Sequence, residues 1–338
     1  MTIEDTKNKM WLSNNKVCFV TNSIALPSSL LITSLKTYIE YIPIQNFWLI
    51  PGIKDNKPFY GLNAFVQMLE YMLSNTHFDY VIYIDEDCFI NDFSTLIDEF
   101  KLFVKSKSCI GGLQDGGVLC HRNHSKLMIN TFLSFWNIKL LRDRKISIQH
   151  IIDYINSHVK QGQEHLFSNF LNELKTNNVN LYNFLFKNAN KLFDDIKQYR
   201  LSHFNKDGET PYANIVKNDQ NNKIEQFQEP YTFDDETAEE NFEPYYILEQ
   251  ALIYLTNTPI YYLFGTDLYE DENTLPNNLK HFNGLTSAIY HSKKINNEYK
   301  LICVHTWFSR AYTKWPSMQL QLDHTKRINN IIKKYSRI

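Results

Sequence analysis

Tyr80-Val81-Ile82-Tyr83-Ile84-Asp85-Glu86-Asp87-Cys88-Phe89-Ile90 decides the reading of this chain. Its first five residues are apolar and rich in β-branched and aromatic side chains, the pattern of a strand buried on both faces. Three carboxylates follow, and then apolar residues return. Side chains alternate along extended backbone, so Asp85 and Asp87 should leave the strand end on one face and Glu86 on the other. Carboxylates at the carboxyl edge of a parallel sheet lie where open α/β folds bind their ligands. Side by side they repel each other and resist burial. A divalent cation with oxygen ligands removes that penalty and can also hold a diphosphate. The stretch therefore points to a metal site for a nucleotide-linked substrate, with Asp85 and Asp87 as ligands. The competing reading is a solvated strand end, because acidic runs are common in turns.

Upstream, Lys16–Asn22 reads as a first strand, Leu30–Ile39 has helical spacing, and Asn46–Ile50 is a second apolar run closed by Pro51-Gly52. Gly61–Leu73 repeats its apolar positions at three and four, the mark of an amphipathic helix. Strand–helix–strand–helix–strand order predicts a parallel α/β sheet with right-handed crossovers. Downstream, Asn91 or Asp92 can cap a helix over Ser94–Val104. In Gly111-Gly112-Leu113-Gln114-Asp115-Gly116-Gly117, glycines surround one acid. This is either a tight hairpin with Asp115 at its tip or a pocket wall that sets Asp115 and the Gly116-Gly117 backbone against a sugar. Cys120, His121 and His124 match no common zinc spacing. Asn130, Phe132, Phe135 and Trp136 are expected on a helical segment packed under that loop.

From Ile146 to about Tyr199 helical periodicity runs without strand signals, which predicts a helical insertion. Ser202–Gln228 is polar and reads as a flexible loop that can cover the site. An acidic run ends in Glu243 at the entrance of a helix over Pro244–Leu255, and Ile260–Phe264 reads as a strand. Glu243 suits the helix dipole there and is also a general-base candidate. Leu301–Arg310 begins as a buried strand ending in His305. That histidine either completes the metal shell begun by Asp87 or is a satisfied core residue. Trp307 can face a sugar or base, and Arg310 can pair with phosphate. With Asp85 and Asn63, near the start of the amphipathic helix, they form the expected donor-binding set.

The totals set bounds. The 338 residues are 43% hydrophobic and 21% charged with a formal net charge of −2, an ordinary globular balance without a general field for nucleic acid. Five cysteines in an odd set without a C-x-x-C pair point to free thiols in a reducing compartment. Neither a signal peptide nor a run of ~20 apolar residues is present, so a cytoplasmic protein is expected. The basic tail from Lys326 to Arg337 can touch an anionic membrane or dock as a plain helix.

Taken together, the residues resemble the nucleotide-sugar glycosyltransferases of the GT-A fold. The likeness is carried by Ile84-Asp85-Glu86-Asp87 after an α/β half, by the segment Glu243–Phe264 and by strand-terminal His305, and covers about residues 16–120 and 240–310. It implies a Rossmann-type, mostly parallel sheet flanked by helices. Residues 1–145 would bind the nucleotide sugar, 146–230 would be the helical insertion and loop, and 231–338 would complete the domain as the acceptor half. By the same resemblance Asp85 lies towards the ribose, and Asp87 and His305 ligate Mn²⁺ or Mg²⁺. Glu243 is the candidate base, with Asp115 as its rival for contact with sugar or acceptor. The implied reaction moves a sugar from a nucleoside diphosphate to a glycan or lipid-linked acceptor, in surface glycan synthesis. Two other classes fit parts of the pattern: a haloacid-dehalogenase-like phosphatase, and a silent glycan- or nucleotide-binding protein of the same fold. The phosphatase would place its acidic pair after the first strand, whereas here two strands precede it.

Overall fold

The computed structural model describes residues 2–23, 29–54, 57–58, 61–115, 127–158, 167–203, 245–268, 286–294, 298–306, 326–327 and 330. Thr2 opens α1 (Ile3–Asn14) with a reciprocal capping box to Asp5. The chain then enters β1 (Val17–Ser23), whose residues are all buried. α2 (Ser29–Lys36) crosses to β2 (Phe47–Pro51), a small hairpin of β3 (Ile53–Lys54) and β4 (Lys57–Pro58) intervenes, and α3 (Leu62–Ser74) returns to β5 (Tyr80–Ile84). β2, β1 and β5 pair in parallel, as the sequence pattern requires. The apolar stripe of α3 buries Phe65, Met68, Leu69 and Met72 against them.

Beyond β5 the architecture departs from a parallel sheet. The turn Asp85–Asp87 leads into β6 (Cys88–Ile90), and Asp92 caps α4 (Phe93–Ser106) by accepting from the Thr95 amide. β7 (Ile110–Gln114) and β8 (Ile129–Asn137) follow. β8 carries Asn130, Phe132, Phe135 and Trp136, so the helix expected there is a strand. Every residue of β8 is buried, which removes the polar face that distinguishes one period from the other. Asn137 then caps α5 (Ile138–Asp143), and α6 (Ile148–His158), α7 (Phe167–Asn177) and α8 (Val179–His203) supply the expected helices. The chain closes with α9 (Tyr246–Thr256), β9 (Tyr261–Leu268), β10 (Thr286–Tyr290) and β11 (Leu301–Thr306).

One nine-stranded sheet results, in the order β2-β1-β5-β8-β7-β9-β10-β11-β6. Of its eight neighbouring pairs, β2–β1, β1–β5 and β7–β9 are parallel and the other five are antiparallel. The sheet is thus mixed rather than mostly parallel. Six ladder positions separate β5 from β6, which on a flat sheet would be about 29 Å at ~4.8 Å per strand. Four residue steps join Ile84 to Cys88 and reach at most about 14 Å. The sheet therefore curls until its last strand, β6, returns to the end of β5, its third, at the acidic turn.

Helices cover both faces. Phe19, Ile82, Ile84, Phe132, Phe135 and Val304 pack with Leu12 of α1 and Leu96 and Phe100 of α4. Val20, Val81, Tyr83 and Trp136 pack with α3, α5, α6 and α9 on the other side. Cys18, Cys88, Cys109 and Cys303 are buried and free. Among the described residues no helix is long and apolar enough to cross a membrane. The polar loop proposed over 202–228 and the basic tail lie almost wholly outside the described residues.

Gly265 of β9 lies where neighbouring strands approach too closely for a side chain. A Cβ there would lie 2.5 Å from the Ala288 carbonyl oxygen of β10 and 2.7 Å from Leu113 Cδ1 of β7. Backbone oxygen cannot step aside like a side chain, so Gly265→Ala should cost about 3 kcal/mol or more by overpacking. Urea unfolding checks this, and a wild-type midpoint would contradict the crowding.

Burial also pushes the thiols of Cys18, Cys88 and Cys109, and the phenols of Tyr38, Tyr154, Tyr261 and Tyr262, above their ordinary values. A group kept protonated in the fold but free to ionise in the unfolded chain stabilises fully below its unfolded pKa. Above that value folding has to take up a proton, and the contribution is lost. Stability should therefore decline from about pH 8.5, the ordinary thiol value, and fall further past about pH 10 as unfolded phenols ionise. Denaturant titrations on either side of this window measure the decline; equal midpoints would rule it out.

Candidate metal centre

β5 ends at Ile84, and the three acids form a tight turn in which the Cys88 amide donates to the Asp85 carbonyl at 3.1 Å. Asp85 turns to the same side as Tyr83, whose hydroxyl donates to Asp85 Oδ1 at 2.8 Å. Its backbone N–H donates to the Phe132 carbonyl of β8 at 2.8 Å. Glu86 points the other way, buried, and accepts from Ser23 Oγ at the end of β1 at 2.5 Å. Asp87 is buried, and its carbonyl accepts from the Thr306 amide at 3.1 Å. That bond extends the ladder in which His305 of β11 lies opposite Cys88 of β6.

This ladder delivers His305 to the acids. Its Nε2 lies 3.0 Å from Asp87 Oδ1. One ligand atom from each of Asp85, Asp87 and His305 lies within 4.8 Å of the others, with Asp87 and His305 buried and Asp85 half-buried. Two carboxylates this close favour a shared positive charge, and two oxygens with one imidazole nitrogen are a donor set for a first-row divalent cation. Asp85 is the most exposed of the three. The three metal-ligand candidates named from sequence are thus brought together.

A second polar cluster lies beyond β8. β5 and β7 both run antiparallel to β8, so Asp85 and Asp115 leave the same edge of the sheet, two ladder spacings or about 10 Å apart. Asp115 is fully buried rather than at an exposed hairpin tip. Its carboxylate accepts from Tyr246 Oη at 2.5 Å, from Asn130 Nδ2 at 3.4 Å and from Tyr245 Oη at 3.5 Å. Glu249 of α9 is buried beside them and accepts from the Ile129 amide at 3.1 Å. Sequence reading missed Asn130, Tyr245 and Tyr246 as site residues. Their signal was weak: polar tips in runs otherwise fit for a core. Glu249 and Gln250, inside the apolar run Ile247–Leu252, were the plainer sign.

Asn63 is exposed in the first turn of α3 and shares no hydrogen bond with the acidic turn. Glu243, Trp307 and Arg310 lie outside the described residues, as do Cys120, His121 and His124. Compared with known proteins, the chain matches no family model and no curated sequence.

Proposed function

We propose that this protein is a metal-dependent glycosyltransferase that moves a sugar from a nucleoside diphosphate to an acceptor hydroxyl. The observation that carries the reading is the Asp85–Asp87–His305 group at the carboxyl edge of β5. Connections from β1 pass to β2 on one side, while β5 lies on its other side, so this edge is a topological switch point. A crevice of that kind with a cation-binding group suits a nucleoside diphosphate better than a neutral ligand. The imidazole favours Mn²⁺ over Mg²⁺, which prefers oxygen throughout. A cation bound there neutralises charge on a leaving diphosphate as a Lewis acid.

The chain's own groups take the remaining roles in this proposal. Asp85, oriented by Tyr83, lies towards the ribose, while Asp87 and His305 are the buried ligands. The cluster around Asp115, about 10 Å away by two strand spacings, is at the reach of a sugar beyond a diphosphate. Donors already converge on Asp115, which suits holding and orienting sugar hydroxyls. Glu243, two residues ahead of Tyr245, is the proposed base towards a glycan or lipid-linked acceptor; attack opposite the leaving group would then invert configuration.

Calorimetric and thermal-shift titration with UDP, GDP, CMP and dTDP and their sugars, with and without Mn²⁺, tests this. One donor should stabilise the protein only with metal, by about 2.7 kcal/mol at a hundred times its Kd. Asp87→Ala and His305→Ala should lower Mn²⁺-dependent transfer by about 100-fold or more. Full transfer in both variants, or no nucleotide bound under any condition, would sink the proposal.

A further inference from the structure

Phe132 sits at the centre of an irregularity in β8. Towards β5 the register is regular through Ile84↔Leu133. Towards β7 it jumps from Gly112↔Ser134 to Leu113↔Asn130, so Thr131, Phe132 and Leu133 have no ladder partner there. Local side chains hold the excursion: Asn130 Oδ1 accepts from the Phe132 amide at 3.2 Å, and the Thr131 carbonyl accepts from Ser134 Oγ at 3.3 Å. The buried Phe132 ring lies flat on the His305 imidazole, with centroids 4.2 Å apart and planes 7° from parallel. His305 arrives from β11, four positions from β8 in the sheet, so only the curl makes this contact.

We infer that Phe132 is a positioning residue for the metal centre, fixing the plane of the His305 imidazole before a cation arrives. This rests on the metal-binding reading of the site and not on sugar transfer. The lone pair of a ligating nitrogen lies in the ring plane, and the terminal torsion of histidine is a broad rotor. Rotation about it swings the lone pair away from the carboxylates. A flat face at stacking distance removes that freedom in advance, so less order has to be imposed when metal binds. Tyr83 does the corresponding work for Asp85 through its 2.8 Å hydrogen bond. Both are outer partners of the kind that orient ligands and tune metal affinity.

The test measures Mn²⁺ affinity of the full chain by calorimetry and by the resonance signal of free Mn²⁺, beside melting temperature without metal. Phe132→Leu should weaken Mn²⁺ binding about 10- to 100-fold, Tyr83→Phe should weaken it too, and Phe132→Tyr, which keeps a flat ring, should stay within about threefold of wild type. A purely structural role would lower the metal-free melting temperature and leave the affinity of the folded fraction unchanged. Wild-type affinity in folded Phe132→Leu would therefore overturn the inference alone. Should that variant not fold, Phe132→Met keeps the volume without the flat face, and its wild-type affinity would overturn it equally. A wild-type protein that binds no Mn²⁺ would overturn the metal reading with it.

Discussion

A short link between two distant strands governs this molecule. β5 and β6 are joined by Asp85, Glu86 and Asp87 alone, yet stand at the third and ninth positions of one sheet. The link is too short to bridge a flat sheet, so curling is compulsory, and the turn that enforces it carries the acids. Once the sheet closes, β11 is paired to β6 and lies against the start of β8, which is why His305 can touch Asp87 and Phe132 together. The chemistry of the site and the shape of the sheet therefore have one cause.

The acids of the interior differ in their surroundings. Glu99 of α4 is fully buried, but the Tyr261 hydroxyl at 2.6 Å and the Ser292 amide at 2.8 Å donate to it, and His291 stands 3.8 Å away. It ties α4 to the opposite end of β9 and β10, and neutral donors from neighbouring elements meet its demand. Asp85 and Asp87 stand together with one imidazole inside a few ångströms, and the Tyr83 hydroxyl donates to Asp85. Like charges gathered where water is partly excluded favour a shared positive charge among them.

Much of this was legible in sequence, for local reasons. Tyr80–Ile84 is too short and too apolar to be anything but a buried strand. Val17–Ser23, α3 and α4 followed from periodicity and capping in the same way. β8 was not legible, because a strand buried along its whole length has no polar face, and Asn130 and Asn137 interrupt its apolar run without marking its period. The mixed sheet was hidden for a related reason. Helical crossovers announce the parallel pairs of β1, whereas the antiparallel β5–β8 and β6–β11 pairs join strands that are not consecutive in the chain. Asp115 was noticed through its glycines, but its tyrosine partners come from α9, some 130 residues on. No local pattern encodes such a meeting. His305 stood out only in the company of Asp87.

The separation between Asp87 and His305 is 218 residues, and that distance sets the order in which the molecule is completed. Contacts across so long a loop become favourable only after intervening strands have paired, since closure entropy comes first and its reward later. The β6–β11 ladder is three residues long on the β6 side and cannot lead assembly. A nascent or half-formed chain thus exposes two carboxylates but lacks their nitrogen partner and its aromatic backing. The Asp85–Asp87–His305 group is thus assembled only in the finished fold.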